Sequence, residues 1–153
     1  LILLSGCAIK EILTGEDLDL GKLQEIANES FPGIPGLEKA FVEVYHAALI
    51  KDWEATYPYR TEAFRRSTDE GTYVATLNRD MKGYDLKDLK VLSVDNVVES
   101  SVAGSKSRVV IQSTQGAHNS SNTAVIVWTR NADGWVVDSL GLQGSPLLQN
   151  LEF

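Results

Sequence analysis

Proton-transfer chemistry requires a general base and hydrogen-bond donors that converge in an apolar cavity. The side chains able to supply it are Tyr45, His46, Asp52, Tyr57 and Tyr59 in one stretch, with Asp95, Trp128 and Asp138 far downstream. Their neighbours argue against such a grouping. Asp52 opens the break Lys51-Asp52-Trp53, Asp95 precedes an Asn in loop-like sequence, and Asp138 alternates with apolar Val137, as a solvent-facing residue does. No catalytic residue is assigned on this pattern. His46 and His118 stand far apart with no Cys or ordered carboxylate spacing beside them, so no metal site is expected. Arg60, Arg65 and Arg66 form a small basic cluster that reads as a solvated helix face. Asn119-Ser120-Ser121 fits a glycosylation pattern and reads as a polar loop. Phosphate-loop, dinucleotide and nucleophile-elbow motifs are lacking, and no cofactor is expected. Tyr45, Trp53, Tyr57, Tyr73, Trp128 and Trp135 make up an aromatic set with two readings. They form a core, or else Tyr45, Trp53, Tyr57 and Trp128 line a pocket for a small apolar ligand.

Composition sets the frame for those residues. The 153 residues are 23% charged and 43% hydrophobic, which suits one globular domain with its own core. Fourteen Lys plus Arg against twenty-one Asp plus Glu give a net charge of −7, so the molecular field repels phosphate backbones and nucleic acid is not an expected partner. One Cys and two His exclude a disulfide framework, a thiolate-rich zinc site or an iron–sulfur cluster within one chain.

That one cysteine stands in an informative place. Leu1-Ile2-Leu3-Leu4-Ser5-Gly6-Cys7 is an apolar run closed by two small residues and then Cys, and it resembles a bacterial lipobox. The resemblance implies that residues 1–6 are the remnant of a signal peptide whose charged beginning precedes Leu1. It also implies that Cys7 is the first mature residue, carrying a diacylglycerol thioether and usually a further acyl chain. Two or three chains make a stable membrane anchor, since each buried methylene contributes about 0.8 kcal/mol. Ala8 stands where an Asp would favour the inner membrane of Gram-negative cells. The implied location is therefore the cell envelope, at the outer membrane facing the periplasm in such cells, or otherwise on the outer face of the cytoplasmic membrane.

Residues 8 to 36 hold six acids against two bases and end in Phe31-Pro32-Gly33-Ile34-Pro35-Gly36. This reads as an acidic tether closing on a turn, either mobile or carrying a short helix from Asp19 to Asn28 with Leu20, Leu23, Ile26 and Ala27 on one stripe. The domain itself is expected over 37–153. Leu37, Phe41, Val44, Ala48 and Leu49 recur at helical spacing, the signal repeats with Trp53, Tyr57, Thr61 and Phe64 around Pro58, which predicts a break near Tyr57, and Ser67-Thr68-Asp69-Glu70 predicts the start of a helix ended by Gly83. The period then becomes alternating. Strands are predicted over Asp88–Glu99, Arg108–Thr114, Thr123–Arg130 and Trp135–Leu142, the last two joined through Asn131-Ala132-Asp133-Gly134 as an antiparallel hairpin. The tail from Gly144, with Leu147, Leu148, Leu151 and Phe153, is able to tuck back onto the domain.

Helices followed by antiparallel strands predict an α+β fold, with N-terminal helices packed on a curved sheet of four or more strands. That order, Tyr45 and Trp53 in and after the first long helix, Trp128-Thr129-Arg130, and Asp133-Gly134-Trp135-Val136-Val137-Asp138 together resemble the nuclear transport factor 2-like, or cystatin-like, superfamily over residues 37 to 142. The resemblance implies a bent sheet wrapping the helix into a cone, and frequent pairing as a homodimer through the open sheet face. Its members include isomerases, dehydratases and non-enzymatic binding modules. The expectation is a lipid-anchored envelope protein that binds a small apolar ligand or an envelope protein without catalysis. The alternative is a small-molecule isomerase or dehydratase using the cone.

Overall fold

The computed structural model describes residues 17–97 and 102–149. The first helix, α1 (Leu20–Ser30), begins where Asp19 accepts a hydrogen bond from the Lys22 amide at 2.8 Å, satisfying one of the free amides of the first turn. Leu23 and Ala27 on its inner face are fully buried, and the following Phe31 and Ile34 are buried too. The stretch from Leu18 onward is thus part of the domain. Of the two readings of this segment, the short helix with its apolar stripe laid on the domain is the one observed, and the domain boundary expected at 37 moves back to Leu18. Residues 1–16, on which the signal-peptide expectation, Cys7 and the rest of the expected tether fall, lie outside the described residues.

Helix α2 (Leu37–Ile50) forms the centre of the helical layer. It buries Leu37, Ala40, Phe41, Val44, Tyr45 and Ala48 on one stripe, and it packs against α1 and the last strand. A short helix α3 (Trp53–Thr56) follows, capped by Asp52, whose carboxylate accepts from the Ala55 amide at 3.3 Å. Pro58 sits in a 3-10 turn, Tyr57–Tyr59, at the predicted break. Helix α4 (Glu62–Ser67) carries on, beyond the Pro58 break, the helical spacing of Trp53, Tyr57, Thr61 and Phe64, with Thr61 as its N-cap and Phe64 buried. Helix α5 (Glu70–Asp80) starts on Asp69, whose carboxylate accepts from both the amide and the hydroxyl of Thr72, an arrangement that lowers its pKa. It ends at Met81 rather than Gly83, as Met81 turns inward to be buried.

The sheet is an antiparallel meander in the order β1-β2-β3-β4, with β1 (Leu86–Asn96), β2 (Lys106–Gln115), β3 (Ser120–Asn131) and β4 (Gly134–Val137). Register shifts between Leu86 and Asp88 and between Val91 and Ser93 interrupt β1, as bulges that bend a strand do. Strand β2 alternates cleanly, with Ser107, Val109, Ile111 and Ser113 buried toward the helices. The hairpin between β3 and β4 pairs Asn131 with Gly134, leaving Ala132-Asp133 as its tip, and Gly134 takes the positive φ of 133° that this turn needs.

The predicted fourth strand over Trp135–Leu142 is too long. Backbone pairing stops at Val137, and Asp138 to Gln149 instead cross the core as a strap. Its own Leu140, Leu142 and Leu148 are buried, and the Leu140 amide donates to Leu148 O at 3.1 Å. The tail therefore tucks back as far as it is described; Leu151 and Phe153 lie outside the described residues.

Candidate functional site

The aromatic residues expected near a pocket are distributed by the packing. Tyr45 and Trp128 are fully buried and Trp53 is 1% exposed, all three within the main hydrophobic cluster between the helices and the sheet. Tyr45 packs at a tilt against Phe41 with ring centres 4.6 Å apart, and its hydroxyl donates to Leu140 O at 3.0 Å, holding the strap down. Burial raises the Tyr45 pKa well above the ordinary tyrosine value, because the phenolate would lose its water. Tyr57 is half-buried and donates to Thr68 O at 2.6 Å, with Arg65 O at 3.1 Å, closing the end of α4. Tyr45, Trp53, Tyr57 and Trp128 are core and capping residues, and none lines any of the larger clefts among the described residues. The pocket-lining expectation for these four is corrected accordingly.

The acid candidates do not converge. Asp52 is a helix cap, Asp95 is exposed on β1 opposite Arg108, and Asp138 accepts from Thr61 Oγ1 at 3.3 Å. His46 is half-buried on α2 and His118 is exposed in the loop before β3. Among the described residues no three His, Cys, Asp or Glu side chains gather as metal ligands do.

The basic cluster behaves least like its sequence reading. Arg66 is exposed and pairs with Glu62, but Arg60 is fully buried. Its guanidinium stacks 3.7 Å from the Phe64 ring centre and donates to Leu147 O at 2.6 Å, to Asp138 O, and to Tyr73 Oη at 3.3 Å. No carboxylate pairs with it among the described residues. Its charge is carried by carbonyl dipoles and an aromatic face, so Arg60 pins the strap to the helical layer.

Arg65 faces a different space. A cleft of about 750 Å³ opens between the start of α2, the Pro58 turn and the β3–β4 hairpin. Its wall includes Pro35, Tyr59 and Trp135, with three cations, Lys39, Arg65 and Arg130, against one carboxylate, Asp133. Pro35 O organises one side: it accepts from Trp135 Nε1 at 2.9 Å and from Arg130 Nη1 at 3.0 Å. Arg130 also lies 5.9 Å from the Trp135 ring centre. Arg65 is fixed from the other side, its Nε donating to Arg60 O at 3.0 Å. The start of α2 contributes no side-chain cap, since its N-cap is Gly36. This cleft was missed in the sequence because its members come from α2, α4 and the hairpin with no shared period. The one sequence signal pointing to it was the Asp-Gly-Trp hairpin.

No family model matches the chain, and no curated protein matches it. Among solved structures it is similar to a SEC-C motif containing protein from Rhodopseudomonas palustris, determined in solution, with 15% identity and a TM-score of 0.52. The match covers 86% of this chain and 94% of that one. At that identity the likeness concerns the fold, a small α+β architecture.

Proposed function

We propose that this chain is a lipid-anchored binding module of the bacterial cell envelope, held at the membrane through Cys7 and working without catalysis through its outer surface. The observation that carries the binding part is the filled interior: Tyr45, Trp53 and Trp128 occupy the space between α2 and the sheet, so a ligand meets the molecule from outside. The largest opening described there is the cleft beside Trp135. We read the fold as nuclear transport factor 2-like, on the helices-then-meander order and the bulged first strand. The anchor rests on the Leu4-Ser5-Gly6-Cys7 pattern. No described helix is long and apolar enough to cross a membrane.

The test expresses the chain behind a bacterial secretion leader fused ahead of Leu1. The processed protein is expected in the membrane fraction with the added mass of the acyl groups, and Cys7→Ala is expected to lose both. A wild-type chain that stays soluble and unmodified would refute the anchored reading.

A further inference from the structure

We infer that the cleft between α2, the Pro58 turn and the β3–β4 hairpin is a binding site for a small organic anion, a carboxylate or phosphate carried on an apolar body. This deepens the binding-module reading and rests on it for its biological role, though not for its chemistry. Three observations carry it. The first is charge: the molecule as a whole is at −7, yet this cleft holds Lys39, Arg65 and Arg130 against the single carboxylate of Asp133. Glu43 stands 3.9 Å from the Lys39 ammonium, so the charge left to the cleft is chiefly that of Arg65 and Arg130.

The second is how the two arginines are held. A surface arginine normally spends its charge on a carboxylate or leaves its long stem mobile. Arg65 and Arg130 do neither: each is fixed by one N–H on a backbone carbonyl, Arg60 O and Pro35 O respectively. Neither has a carboxylate partner among the described residues. The anchoring leaves both Nη groups of Arg65, and Nε with Nη2 of Arg130, without an acceptor among the described residues. Donors held in place and unspent are what fork-like recognition of a carboxylate or phosphate requires. Arg66, next in sequence, shows the contrast, because it is exposed and already paired with Glu62.

The third is the remainder of the wall. Trp135, fixed through Nε1 on Pro35 O, stands with Tyr59, Pro35 and Pro58 in the same cleft. Rings and prolines offer flat apolar surface beside the cations, in a volume of the size small-molecule sites have. A bare inorganic ion would leave that surface unused.

The experiment is calorimetric titration of the 153-residue chain at low ionic strength with phenyl phosphate and with benzoate. Inorganic phosphate and the uncharged benzamide serve as comparisons. The expected result is saturable binding of at least one aromatic anion with a Kd below about 1 mM, and binding of benzamide and inorganic phosphate at least about tenfold weaker. Arg65→Gln and Arg130→Gln are each expected to weaken binding by about tenfold or more, and Lys39→Gln by less, since its ammonium is exposed and close to Glu43. Arg66→Gln should leave affinity unchanged. Arg130→Lys, which keeps the charge but not the fork, distinguishes bidentate recognition from simple attraction and should also weaken binding. Far-UV circular dichroism of each variant checks the fold. No saturation by either aromatic anion up to about 10 mM, benzamide binding as well as benzoate, or inorganic phosphate matching phenyl phosphate would each overturn the assignment. So would Arg66→Gln reducing affinity as much as Arg130→Gln. Because the titration does not depend on lipidation, its failure is distinct from failure of the Cys7 test.

Discussion

Gly141 lies in the strap with φ at 65°, and a Cβ built on it would press into Ile126 Cδ1, with Ile126 Cγ1 at 3.0 Å and Ile111 Cδ1 at 3.1 Å. Gly141→Ala therefore combines two costs. Left-handed backbone costs a residue with a Cβ about 1 kcal/mol, and overpacking a closed core costs about 1–3 kcal/mol. The expected loss is about 2–4 kcal/mol in urea denaturation followed by tryptophan fluorescence, with the slope against urea unchanged. Gly104→Ala separates the two costs, because Gly104 has φ at 89° and nothing within 4 Å of a built Cβ. It should lose only the backbone part, about 1 kcal/mol. Ile126→Val removes the offending Cδ1 and alone costs about 1 kcal/mol. In the double variant the steric part is relieved, so the cycle should show a favourable coupling of about 1–2 kcal/mol. A Gly141→Ala loss no larger than that of Gly104→Ala would refute the reasoning. So would a coupling smaller than about 0.5 kcal/mol, since the strap would then not be packed as closely as described.

Arg60→Met keeps a long apolar stem but abandons the carbonyls of Asp138 and Leu147 in the interior. It should cost about 2 kcal/mol by the same assay, less than two lost acceptors would suggest because a buried cation is removed as well. Unchanged stability would mean that Arg60 does not pin the strap. Tyr45 supplies a pH test. Below the ordinary tyrosine pKa of about 10, both folded and unfolded chains keep its proton and its stabilising contribution is complete. Above that pH the unfolded chain ionises while buried Tyr45 does not, so its contribution falls by about 1.4 kcal/mol per pH unit until the folded hydroxyl titrates. Tyr45→Phe should cost about 1 kcal/mol at neutral pH, through the lost bond to Leu140 O, and should flatten the alkaline decline measured between pH 9 and about 11.5. An unaltered alkaline slope in that variant would contradict the assignment.

Local periodicity carried a large part of the architecture. The stripe Leu20, Leu23, Ile26 and Ala27 is helix α1, Asp69 caps α5, and the β-branched runs are the strands, because amphipathic spacing and capping act over a few residues. What that stripe would pack on was not in the local pattern, so α1 read equally as a tether. The same limit applies to the end of β4. Val137 and Leu140 are both buried and look alike in sequence, and only the strap's return to Leu148 stops the ladder.

The site was less legible still. Arg60, Arg65 and Arg66 are near neighbours of one residue type, but one is buried, one is anchored at a cleft and one is exposed. Burial of Arg60 depends on carbonyls from Asp138 and Leu147, and the role assigned to Arg65 depends on Arg130 and Trp135 arriving from the hairpin. The sequence by itself determined composition, charge, helix starts, strand alternation and the Leu4-Ser5-Gly6-Cys7 pattern, all of which are properties of neighbours along the chain. Tertiary structure decided which aromatic side chains are core, which arginine is buried and where a cleft opens, because each depends on groups that only packing brings within hydrogen-bond distance.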